Sequence, residues 1–149
     1  MSGGGSTEPS RPTSARVIHV VDGDTIDVRL QDGSDDTVRY IGIDTPETVK
    51  PDTPVQCGGP KAHAVNERLV GGRTVTLRFD AERRDVYHRL LAYVYVPGER
   101  PLFVNAELAR RRLARTLTSP PNDSFARLFA RLAAKAGAAG RGLWGRCGV

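Results

Sequence analysis

Short apolar runs that alternate with polar residues, each cut off by an Asp-Gly turn, hold the first part of this chain to strands and hairpins. Ile26, Val28 and Leu30 face one way while Thr25, Asp27 and Arg29 face the other, the period-two signature of a half-buried strand. Asp22-Gly23 closes an apolar run over residues 17–21, and Asp32-Gly33 separates the second strand from a third over 37–43. Residues 46–60 carry four prolines and read as loop. Pro60 then opens a helix in which Ala62, Val65 and Leu69 recur at helical spacing until Gly71-Gly72. Val75, Leu77 and Phe79 mark a fourth strand and residues 91–96 a fifth. A short helix is predicted over 103–113, and a last one starts at an Asn122 or Asp123 cap. That helix sets Phe125, Leu128, Phe129 and Leu132 against Arg127, Arg131 and Lys135. Five strands, one inserted helix and two closing helices describe an α+β domain of the five-stranded OB-type Greek-key β-barrel kind, with three helices.

A chain of 149 residues fits one such domain, set here at residues 16–146. Residues 1–15, rich in Gly, Ser, Thr and Pro, read as a flexible tail without the basic start and apolar stretch of a signal peptide. No apolar run approaches a membrane span. Charge is distributed unevenly. Residues 1–60 hold 5 Lys and Arg against 10 Asp and Glu, whereas residues 61–149 hold 17 against 7. An acidic cluster joined to a basic body suits a polyanion held with a cation, although arginine-rich surfaces also arise from base composition alone.

Three segments carry the chemistry: Asp22-Gly23-Asp24-Thr25; Arg39 followed by Asp44-Thr45-Pro46-Glu47; and Asp85-Val86-Tyr87-His88-Arg89. Asp24 at the turn into the second strand and Asp44 past the third are the candidate metal ligands. Oxygen donors with no His or Cys beside them point to Ca²⁺ or Mg²⁺ rather than zinc. Arg39 and Arg89 can each offer a phosphate two parallel charged hydrogen bonds. Arg39 and Asp44 lie an odd five residues apart, so a regular strand would point them to opposite faces. For both to serve one site, the strand must break between them, and Gly42 is the candidate. Removing either carboxylate is expected to relieve repulsion and leave the fold intact.

In their order and spacing these segments, with the closing Gly142-Leu143-Trp144, resemble the staphylococcal nuclease (thermonuclease) family. The resemblance implies a barrel of the kind above and hydrolysis of DNA and RNA phosphodiesters with little sequence preference, leaving 3′-phosphates. It implies Ca²⁺ on Asp24 and Asp44 with the Thr45 carbonyl as third donor, catalytic roles for Arg39, Glu47 and Arg89, and Tyr87 against the substrate nucleotide. Glu47 would position and deprotonate the attacking water. The chain departs from the pattern at Val86, where a basic residue is usual, and at His88, where glycine is usual. Thr118 and Pro120 stand where base-stacking tyrosines are expected, which points to altered nucleotide preference rather than lost chemistry.

Two cysteines in a commonly secreted family favour a Cys57–Cys147 disulfide and a monomer working outside the cytoplasm or at the envelope, against two cytosolic thiols. The rival function is a non-catalytic OB-fold nucleic-acid-binding module. Retention of Asp24, Arg39, Asp44, Glu47 and Arg89 argues for the enzyme.

Overall fold

Strand β1 (Thr13–Asp22) is the spine of the fold, because it pairs on both edges. In the computed structural model, which describes residues 11–46 and 59–138, it lies antiparallel to β2 (Thr25–Leu30) and to β5 (Thr74–Arg78). It begins earlier than its apolar run because Thr13 to Arg16 pair with Leu77 to Thr74, so residues 13–15, expected to be tail, belong to the strand. Two register shifts, between Val17 and His19 and between Val20 and Asp22, bend β1. Strand β3 (Asp35–Tyr40) continues from β2, and β6 (Leu90–Val96) from β5. Parallel pairing of β3 with β6, from Val38↔Leu90 to Tyr40↔Ala92, closes the five strands into a barrel. The expected five-stranded OB-type α+β fold is the observed one.

The remaining elements cap and brace it. Helix α1 (Gly59–Val70) packs on β1; β7 (Leu102–Phe103) extends β6 and leads into α2 (Val104–Arg110). A two-residue ribbon joins β4 (Ile43–Asp44) to β8 (Arg115–Thr116), and α3 (Ala126–Ala138) packs on α2. Val17, Ile26, Val28, Val38, Leu77 and Val94 fill the barrel with almost no exposure. Tyr93, Phe103, Phe125 and Phe129 seal the α2–α3 end by edge-to-face and tilted contacts. Asn122 does not cap α3. Its amide is bonded to the Glu82 backbone at both ends, accepting from the N–H at 2.6 Å and donating to the carbonyl at 2.7 Å. No described helix is long and apolar enough to cross a membrane.

The anticipated third strand of 37–43 is broken in two. After Tyr40 the backbone turns, and Gly42 takes φ +84° before β4 resumes. A Cβ at Gly42 would lie 2.6 Å from Phe129 Cδ2, and Phe129 is itself buried. Asn105 locks the turn from below, donating to the Ile41 carbonyl at 2.9 Å and accepting the Val94 N–H at 2.9 Å. Gly42→Ala should therefore destabilise the protein by about 3 kcal/mol, combining left-handed strain with overpacking. An unchanged urea midpoint would refute this account of the turn.

Candidate active site

The Asp22-Gly23-Asp24 tip is a tight β1–β2 hairpin whose geometry leaves no room for a side chain at Gly23. A Cβ there would sit 2.8 Å from both Ala62 Cβ and Thr45 Oγ1. Helix α1 grips the tip through Asn66, which donates to the Asp22 carbonyl at 2.9 Å and accepts the Tyr40 hydroxyl at 2.7 Å. Burial pushes that hydroxyl far above the ordinary tyrosine range, so it stays a donor. With the tip held, Asp24 is buried and fully engaged. Its Oδ2 accepts the Thr45 N–H at 2.9 Å and its Oδ1 accepts the Thr25 hydroxyl at 2.9 Å.

Arg39 ties the two carboxylates together. Nη1 stands 3.3 Å from Asp24 Oδ2, and Nη2 stands 3.2 Å from Asp44 Oδ1. The same Nη1 donates to the Tyr40 and Ile43 carbonyls at 2.9 Å each, across the turn at Gly42. The break in the strand thus brings Arg39 and Asp44 to one side. Arg39 has a side chain only 14% exposed, whereas Asp44 is 54% exposed. Partial burial raises the Asp44 pKa above its ordinary value; Asp24 and Asp22 add to the rise, while Arg39 and Arg115 oppose it.

Arg39 and Arg89 line one cleft of about 310 Å³, with Asp85, Val86, Leu117 and Asn122 among its walls. Asp85 builds the turn that delivers Arg89. It accepts the Tyr87 and Arg89 N–H groups at 2.9 Å each and the Arg89 Nε–H at 2.7 Å. Burial alone would raise the Asp85 pKa, but the hydrogen bonds from Arg89 and Tyr87 and the Arg89 charge outweigh it and hold the carboxyl below its ordinary value. His88 takes φ +66° in this turn, so the left-handed backbone survives without glycine. The Arg89 guanidinium lies 5.3 Å from the Tyr87 ring centroid. Four large apolar side chains are exposed among the described residues, and three of them gather here: Val86 at 85%, Tyr87 at 75% and Leu117 at 46%.

The structure therefore brings Asp24, Arg39, Asp44 and Thr45 into contact, and places Arg89 across the same cleft with Tyr87 beside it. Thr118 and Pro120 are exposed in the segment that follows Leu117. Glu47, Cys57, Cys147 and the Gly142-Leu143-Trp144 ending lie outside the described residues. Sequence reasoning missed Asn66 and Asn105, both fully buried, and the turn-building role of Asp85. Asn66 had a signal, since it falls four residues after Ala62 on the apolar face of α1.

The donor set fits a hard divalent cation. Asp24 and Asp44 supply carboxylate oxygens without an imidazole or thiolate beside them in the described region, and Thr45 Oγ1 is buried next to them without a hydrogen-bond partner. No group of three or more His, Cys, Asp or Glu side chains gathers as a metal site among the described residues. Further donors to a cation here would be backbone carbonyls, water or residues beyond this set.

Residues 37–146 match the sequence profile of the staphylococcal nuclease homologue family. A thermonuclease from Staphylococcus intermedius is 44% identical over 120 residues, spanning 80% of this chain and 69% of the relative. One from Staphylococcus hyicus is 44% identical over 110 residues, spanning 74% and 63%. Endonuclease YncB of Bacillus subtilis (strain 168) is 46% identical over 107 residues, which is 70% of this chain and only about half, 49%, of that protein.

Proposed function

Because this chain belongs to the staphylococcal nuclease homologue family, we propose that it is a metal-dependent nuclease that hydrolyses DNA and RNA phosphodiesters with little sequence preference. One observation carries the reading: two arginines share a cleft, and one of them, Arg39, is paired with the Asp24 and Asp44 carboxylates. A phosphodiester carries one negative charge before hydrolysis and more at the pentacoordinate transition state. Arg39 and Arg89 would donate to its oxygens as that charge builds. Asp24 and Asp44, with the Thr45 carbonyl, would hold Ca²⁺, which when bound supplies positive charge at the same phosphate. Glu47, three residues after Asp44, is the residue assigned to orient the attacking water and accept its proton. Attack of that water on phosphorus with the 5′ oxygen as leaving group would break the P–O5′ bond and leave the phosphate on the 3′ oxygen. Val86 and Leu117 wall the cleft and the exposed Tyr87 adjoins Val86, an apolar surface against which a nucleobase can rest in place of stacking tyrosines. Lack of any helix or ribbon shaped for groove readout among the described elements agrees with low sequence preference. The same reading puts the protein in a secreted or envelope setting as a monomer.

Digestion of single-stranded DNA, double-stranded DNA and RNA with Ca²⁺, Mg²⁺ or EDTA tests it. Cleavage is expected with Ca²⁺, giving products whose 5′-hydroxyls are labelled by polynucleotide kinase without prior phosphatase treatment and whose 3′ ends a polymerase extends only after the 3′-phosphate is removed. Full activity in excess EDTA would overturn the mechanism. Tight binding without hydrolysis under every metal would favour the binding module instead.

A further inference from the structure

A second, larger cavity lies away from the cleft, and shares no lining residue with it. It measures about 490 Å³ and is walled by Thr76, Arg78, Tyr95, Pro97, Pro101 and Phe125. Leu91 of the cleft and Tyr95 of the cavity are four residues apart on β6, about 13 Å along the strand. The walls combine two aromatic rings, two prolines and one cation. Tyr95 stacks on Phe103 at 4.4 Å with an interplanar angle of 16°, which fixes its ring from behind. The Arg78 guanidinium stands 5.6 Å from the Tyr95 ring centroid, and Arg78 forms no ion pair among the described residues. A ring ledge carrying a guanidinium with no acid against it is built for a flat, unsaturated ligand that bears negative charge.

Within the nuclease reading, on which this inference rests, the ligand of that chemistry already at hand is a nucleotide of the substrate strand. We propose that the Arg78–Tyr95 cavity is an accessory nucleotide site that holds one base and its phosphate of single-stranded nucleic acid outside the cleavage cleft. With Phe103 on one face of the Tyr95 ring and Arg78 over the other, the base stacks on the outer face of the Arg78 guanidinium, and the phosphate takes its free edge. Because every base offers a π face, the site adds affinity without adding sequence preference. It acts only on strands long enough to reach both cavities.

Length dependence separates this from a plain cleft. Arg78→Gln and Tyr95→Leu should each raise KM for a 20-nucleotide single-stranded DNA by about five- to tenfold, the lower part of the range for one stacked base. Both should leave kcat, and both constants for a dinucleotide substrate, within about twofold of wild type. Because Tyr95→Leu removes a ring packed on Phe103, nuclear magnetic resonance of wild-type protein in EDTA serves as the second measurement. Oligothymidylate of 12 nucleotides should shift Arg78 Nε and Tyr95 ring signals, and thymidine dinucleotide should not. KM for the long strand unchanged in Arg78→Gln, together with unmoved Arg78 and Tyr95 signals, would overturn the proposal. Shifts at Arg78 and Tyr95 in a protein that cleaves nothing would uphold this site and reject the nuclease reading.

Discussion

Arg89→Ala is expected to lower kcat on single-stranded DNA by about 10³-fold, with KM changed far less, because the guanidinium acts on charge that develops in the transition state. Its stability should barely move. Arg89 is one-third exposed, and its main partner, Asp85, keeps the Tyr87 and Arg89 backbone donors. Arg39→Ala should behave differently, although both arginines face one cleft. Arg39 satisfies the Tyr40 and Ile43 carbonyls and balances Asp24 and Asp44 from a largely buried position. Removing it strands these groups and should destabilise the fold by about 3 kcal/mol in addition to the loss of turnover. Steady-state kinetics and urea unfolding on both variants make the comparison. Turnover near wild type in Arg89→Ala would remove that residue from the mechanism, and equal urea midpoints for the two variants would contradict the structural role of Arg39.

The two proposed metal ligands should likewise part company. Asp24→Ala and Asp44→Ala are each expected to weaken Ca²⁺ binding by at least about 100-fold, more than the loss of an outer-shell partner produces. Only Asp24→Ala should also weaken the metal-free fold, by roughly 2–4 kcal/mol, since it orphans the Thr45 N–H and leaves Arg39 facing a cavity. The sequence-based expectation that either substitution spares the fold is therefore kept for the half-exposed Asp44 and revised for Asp24, which is buried and hydrogen-bonded. Asp44 is half exposed, and its folded pKa lies above the ordinary 3.8, so its ionised form is disfavoured in the native state. An acid with a raised folded pKa binds more protons folded than unfolded, so stability falls as pH rises through that value. In EDTA, Asp44→Ala should match or exceed wild-type stability at pH 7, an advantage that grows above pH 3.8 and vanishes below it. Calorimetric Ca²⁺ titration and urea unfolding in EDTA check both halves. A destabilised Asp44→Ala would show that its ion pair with Arg39 outweighs the crowding.

Much of this was legible in local pattern. Alternation in Ile26, Val28 and Leu30, the Asp-Gly turns and the helical spacing of Ala62, Val65 and Leu69 each depend on residues a few positions apart, and all reappear as elements of the barrel. The odd spacing of Arg39 and Asp44 even located the break at Gly42. Other features lay beyond that reach. Nothing near Thr13 announces a strand, because its partner is Leu77. Asn122 carries a cap's chemistry, yet Glu82, forty residues away, claims its amide. Asn66 and Asn105 are polar residues whose worth lies in backbone groups of Asp22, Ile41 and Val94, far off in sequence. By itself the sequence determined the period of each element and the kinds of side chain at the site. Only the tertiary structure decided which carboxylate is buried, which arginine holds the fold as well as facing the cleft, and where Arg78 meets Tyr95. Periodicity is a property of neighbours, whereas burial and partner choice follow from barrel closure, which no local segment contains.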